Sequence, residues 1–259
     1  MTLSKPDLLL SRLDEIGASL ARSGKALALI GLGSVGLETE RLDRYSDLDF
    51  FAIVENGRKR DFLDDLSWLE DIRPLTYAFR NTPDGYKALF EDGVFCEFAV
   101  FEEPELREIP FAPGRMVWKR EGVSDELRFP QRTQACPEER SVEWSLGEAL
   151  TNLYTGLGRY RRGEKLAAMR LIQVFAVDRL LELAERAEPP AATSLRDPFA
   201  LERRYEQRNP GIAPALPSFT QGYERSVESA RAILAFLGER FEVNVVMRRA
   251  ILALCEAET

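Results

Sequence analysis

The sequence predicts an α+β fold: a mixed sheet with flanking helices, followed by a C-terminal helical bundle. Three observations carry that prediction. Short apolar runs bounded by turn residues recur up to about residue 120. An Asp-Gly pair between two of those runs marks a β-hairpin. Beyond about residue 140 the apolar residues fall at helical spacing instead. The expected division is a catalytic domain over 1–138 and a helical, acceptor-side domain over 139–259.

Taken in order, Leu9, Leu10, Leu13, Ile16, Leu20 and Ala21 form a helical stripe over residues 7–22, and Ser23-Gly24 stops it. Residues 25–30 (KALALI) read as a short buried strand, followed by a glycine-rich loop from Gly31 to Gly36. A polar stretch over 38–46 leads to a second strand, 47–54 (DLDFFAIV). A charged helix is expected over 58–69, with Phe62, Leu66 and Leu69 on one face, and a third strand over 73–79. After Pro83-Asp84-Gly85, the runs 86–90 and 94–101 flank Glu91-Asp92-Gly93, so the later strands are expected to pair antiparallel. In the second half, Leu146, Leu150, Leu153, Tyr154 and Leu157 mark a helix over 141–161. Residues 166–188 read as one longer helix buried on several sides. Six prolines between Pro189 and Pro217 mark a connector, and helices over 221–240 and 242–257 close the chain.

Composition narrows the chemistry. The 259 residues carry 35 basic and 43 acidic side chains, a net charge of -8, which is the wrong sign for gripping nucleic acid. There is no histidine, so Ser-His-Asp and Cys-His nucleophiles, HExxH zinc sites and histidine bases are all excluded. Cys96, Cys136 and Cys255 are odd in number and far apart, which implies no disulfide framework and a reducing compartment. No run of about 18 apolar residues occurs and the first 25 residues lack a signal-type apolar stretch, so no membrane partner and a cytoplasmic location are expected. Oligomeric state is not readable from the sequence.

Two readings compete for residues 29–55. Gly31-x-Gly33-x-x-Gly36 matches a dinucleotide fingerprint, with Glu55 placed to hold a ribose. That reading needs an amphipathic helix directly after the loop, and residues 37–46 offer too thin an apolar face for one. The other reading joins Gly33-Ser34 to Asp47 and Asp49. Alternation projects both aspartates from one side of a strand, roughly 7 Å apart, where they repel by roughly a few kcal/mol. Magnesium explains that cost, since it takes one or two carboxylates together with substrate phosphate oxygens. Gly33 and Ser34 offer backbone amides and a hydroxyl to those phosphates. Glu97 is a third acid inside an otherwise apolar run, costly to bury alone and able to share the ion. The plain alternatives are a solvated acidic pair and an edge-strand glutamate facing water.

The run Leu-Gly33-Ser34, twelve residues, then Asp47-Leu-Asp49-Phe-Phe, with Glu97 on a later strand, resembles the signature of the nucleotidyltransferase superfamily. Within it, the chain is most similar to antibiotic nucleotidyltransferases of the lincosamide and aminoglycoside type, in which a helical domain follows the catalytic one. The resemblance spans about residues 25–105. It implies a nucleotidyltransferase-like sheet and transfer of a nucleoside monophosphate, AMP by preference, from a nucleoside triphosphate to a hydroxyl of a small molecule. It also implies Asp47, Asp49 and Glu97 as metal ligands, two magnesium ions, and Gly33 and Ser34 as nucleotide-binding residues. Glu97 is the first candidate for general base and Glu148 the second. Many members carry Asp where this chain has Glu97.

The bundle is expected to face the catalytic strands and form the acceptor side of a cleft. Arg159, Arg161, Arg162, Lys165 and Arg170 form a basic cluster, either a grip for the triphosphate tail or a solvated helix end. Trp144, Tyr154 and Tyr160 are either acceptor-lining or core. Protein-modifying transfer of the toxin–antitoxin kind, and a catalytically silent nucleotide-binding protein of the same fold, stay open as alternatives.

Overall fold

Ser4 opens the first helix by accepting the Asp7 amide on its hydroxyl at 3.3 Å, and Gly24, with φ of 65°, closes it through a bond to the Ala21 carbonyl. This helix, α1 (Lys5–Ser23), buries Leu9, Leu13, Ile16 and Leu20 completely. The computed structural model describes residues 4–132, 140–189, 197 and 200–257; Cys136, Pro190, Pro198 and the expected boundary at 138/139 lie outside them. The chain divides into two compact units, Met1–Gln134 and Ala135–Thr259.

The first unit holds strands β1 (Ala26–Gly31), β2 (Leu48–Val54), β3 (Leu75–Thr82), β4 (Gly85–Phe90), β5 (Phe95–Glu102) and β6 (Arg115–Lys119). Their order is β3-β4-β5-β2-β1-β6. β2 and β5 are parallel; every other neighbouring pair is antiparallel. Gly93, at φ of 80°, makes the β4–β5 turn that Asp92-Gly93 signals. β6 was not anticipated: its run Arg-Met-Val-Trp-Lys alternates only weakly, and it gains strand form by pairing with β1.

Strand alternation gives the sheet two unlike faces. On one, Leu48, Phe50, Ala52, Val54, Cys96, Phe98 and Val100 pack in the core that includes α1. Phe50 and Phe98 stack there at 5.2 Å. The other face is apolar only toward one end, where Ile53, Phe101, Leu106, Phe111 and Leu127 cluster. The start of β2 and β5 on that face carries Asp49 and Glu97.

The helix expected over 58–69 is two short pieces, α2 (Lys59–Leu63) and α3 (Ser67–Glu70). Asp65 accepts the Ser67 amide at 2.9 Å, a local bond that competes with helix continuation. The dinucleotide reading fails on topology: the loop after β1 forms short 3-10 turns (Gly33–Val35, Thr39–Arg41), and β2 returns antiparallel to β1. Glu55 is engaged by Arg120 at 2.6 Å.

The second unit holds α4 (Val142–Arg161), α5 (Lys165–Arg170), α6 (Val177–Ala187), α7 (Tyr205–Arg208), α8 (Leu216–Phe219), α9 (Ser226–Arg240) and α10 (Val245–Glu256). The stretch expected as one helix over 166–188 is α5 and α6 joined by a π-helical segment, Leu171–Ala176. Leu153, Leu157, Ile172, Leu180, Ile233, Leu237 and Ile251 share one core. No helix among the described residues is long and apolar enough to cross a membrane.

Candidate active site

The site begins where β1 ends. Leu32 donates its amide to the Asp49 carbonyl at 2.8 Å, which ties the loop to the start of β2. Gly33 therefore lies beside the Asp49 side chain. Its φ is +53°, and a Cβ there would stand 3.4 Å from Asp49 Oδ2 and 3.7 Å from Arg41 Nη2. Opposite charges thus flank one point above the glycine. The Gly33 carbonyl accepts from Gly36 and Glu38, which closes the turn and keeps Ser34 buried.

Asp47 directly precedes β2, two residues before Asp49. Both carboxylates are half-buried. Their charge is felt across the sheet at Cys96, whose thiol is pushed up to about 12, first by burial and further by Asp49 and Asp47. Asp49 is paired in register with Glu97 across the parallel β2–β5 ladder. The sheet thus brings Asp49 and Glu97 to one face.

Glu97 is not the desolvated acid expected from its apolar run, because its side chain is 45 % exposed. Its Oε2 meets Lys87 Nζ at 3.1 Å and its Oε1 accepts from Asn81 Nδ2 at 3.1 Å. Among the described residues, no group of three or more His, Cys, Asp or Glu side chains is gathered closely enough to hold a metal ion. Asp47 and Asp49 fit a magnesium ion by chemistry: two hard oxygen donors beside a turn open to phosphate. Glu97 does not complete a three-acid cluster with them.

Three residues of the site were missed in the sequence. Lys87 and Asn81 were absorbed into runs read only for strand pattern. Lys87 carried a usable signal: counted outward from Asp92, it and Glu97 are equally far from the hairpin turn, and they do pair. Arg41 carried none, since it sits in a polar stretch that forms a 3-10 turn. Its side chain is about three-quarters buried and pairs with Glu38, while its Nε is buried with no partner.

The second unit has a cavity of about 280 Å³ lined by Arg140, Glu148, Asn152, Phe175, Asp178 and Arg179. Burial raises the Asp178 carboxyl, with Glu202 and Glu182 adding to it. The basic cluster is engaged within this unit: Arg159 and Arg162 with Glu164, Lys165 with Glu224, and Arg161 with the carbonyls of Leu254 and Cys255 at the end of α10. Trp144 is about half exposed beneath Arg140, Tyr154 is similarly open, and Tyr160 donates to the Glu224 carbonyl.

No protein-family model matches the sequence, and no curated protein matches it. Among solved structures, the chain is similar to an aminoglycoside 6-adenyltransferase from Bacillus subtilis, at 14% identity and a TM-score of 0.33, over 100% of this chain and 94% of that one. It is also similar to the Bradyrhizobium diazoefficiens CD-NTase CdnG in complex with GTP, at 13% identity and a TM-score of 0.28, over 90% and 99% of the two chains.

Proposed function

We propose that the protein is a magnesium-dependent nucleotidyltransferase. It moves a nucleoside monophosphate, AMP by first preference, from a nucleoside triphosphate to a hydroxyl of a small molecule, and pyrophosphate leaves. One arrangement carries this reading: Asp49 stands in register with Glu97 across β2 and β5 while Gly33 lies against its carboxylate.

Asp47 and Asp49 would hold the ion. Bound there, magnesium would offset the triphosphate's charge and make its phosphorus easier to attack. Gly33 leaves open the space that a Cβ would fill, so a phosphate oxygen can approach the backbone beside Ser34. Arg41 Nη2 faces the same point while paired with Glu38, and its charge suits it to the β- and γ-phosphates and to the charge that develops on departing pyrophosphate. Glu97 is exposed enough to reach an acceptor hydroxyl and take its proton, held in orientation by Lys87 and Asn81. Glu148, the second candidate for the base, lines the cavity of the helical unit.

Pyrophosphate release is the test, with each of the four triphosphates offered against hydroxylated small molecules, antibiotics included. Acceptor-dependent turnover is expected in the wild type and background release in Asp47→Asn and Asp49→Asn. Equal turnover in either variant contradicts the assignment. Label from the triphosphate in protein bands, with none in small molecules, would move the acceptor to a protein side chain.

A further inference from the structure

We infer that the chain binds a single divalent ion with its nucleotide, because Lys87 takes at Glu97 the place that a second ion would take. This rests on the function proposed above and concerns its metal count.

The register places Glu97 between an acid and a base. Across β5–β2 its partner is Asp49; across β5–β4 it is Lys87. The carboxylate turns toward the lysine: Oε2 meets Lys87 Nζ at 3.1 Å and Oε1 accepts from Asn81 at 3.1 Å. Asn81 lies on β3, two strands from β5, and strands are spaced by about 4.8 Å. Both of these partners lie on the β4 side of β5, opposite to β2.

A magnesium ion shared by Asp49 and Glu97 needs an oxygen of each at about 2.0–2.1 Å. Glu97 would have to turn one of these oxygens away from its partner to supply it. Lys87 would then face a dication without the carboxylate between them, and like charges repel. The lysine thus neutralises Glu97 and keeps a second ion away, while the carboxylate stays open to the acceptor.

The count is measurable without turnover. The protein is saturated with a nonhydrolysable analogue of its best triphosphate, and Mn²⁺ is added while the free ion is followed by electron paramagnetic resonance. One ion per chain is expected for the wild type and for Lys87→Arg, which keeps the charge. Lys87→Met is expected to take two, and Lys87→Met with Glu97→Gln to return to one. Two ions in the wild type, with one lost in Glu97→Gln, overturns the inference and leaves the proposed function standing. One ion in both wild type and Lys87→Met overturns the role given to Lys87. Nucleotide retained with no ion at all overturns the proposed function and this inference together.

Discussion

The two faces of the sheet in the first unit are built from alternate residues of the same strands, yet they are organised for different ends. On the covered face Phe50, Phe98 and Cys96 are almost without solvent contact beneath α1 and α3. On the other, at the start of β2 and β5, Asp49, Glu97, Lys87 and Asn81 stay partly open. Each face has its own cross-element ion pair. Arg12, only 2 % exposed and lying over the Phe90 ring, meets Asp92 at 2.6 Å, whereas Lys87 and Glu97 are each close to half exposed. The first pair is fixed by packing and serves stability. The second contributes about 0–1 kcal/mol to stability.

Substitutions that separate stability from binding test this contrast. Phe50→Ala, on the covered face, should cost about 3–5 kcal/mol in urea unfolding, since a stacked and buried ring is lost. Asp49→Asn, one residue away on the open face, should leave stability within about 0.5 kcal/mol. The same change should lower turnover by about 10²–10³, the scale of losing one preorganised charge contact in a site. A large stability loss in Asp49→Asn would erase the difference between the faces.

Arg41→Ala should weaken triphosphate binding by about 10–100-fold, as removal of a charge-assisted phosphate contact does, and leave monophosphate binding unchanged. Equal weakening of both in a calorimetric titration would make Arg41 a structural residue of the turn. The covered-face pair predicts a pH effect. Burial alone would raise Asp92, but the hydrogen bond and charge of Arg12 outweigh it and hold the carboxyl below its ordinary 3.8. Its contribution is therefore complete above about pH 4 and is lost as pH falls through the lower folded value. Asp92→Asn should flatten the acid side of the stability curve measured by urea unfolding. Smallest of all, Phe79→Ser on the exposed edge strand β3 should change stability by less than about 0.5 kcal/mol.

The sequence made much of this legible where one local rule decides. Asp92-Gly93 specified a hairpin, Gly24 a helix stop, and alternation put Asp49 on the face of β2 opposite Leu48 and Phe50. It failed where the deciding partner is distant in the chain. The parallel pairing of β2 with β5, the strand form of β6, and the break after Leu63 follow from tertiary packing or a single side-chain bond. The surroundings of Glu97 illustrate the same limit. A glutamate in an apolar run suggested burial, but β5 packs only its other face at that point, and the partner is a lysine supplied by the neighbouring strand.

One titration bears most directly on the claim that Asp47, Asp49 and the Gly33–Ser34 turn form a metal–nucleotide site. Calorimetry with a nonhydrolysable triphosphate, run with and without Mg²⁺ on the wild type and on Asp47→Asn/Asp49→Asn, isolates the acids' contribution. The account predicts binding that depends on Mg²⁺ and disappears in the double variant. Nucleotide binding of equal strength in both proteins, or indifferent to the ion, would contradict it.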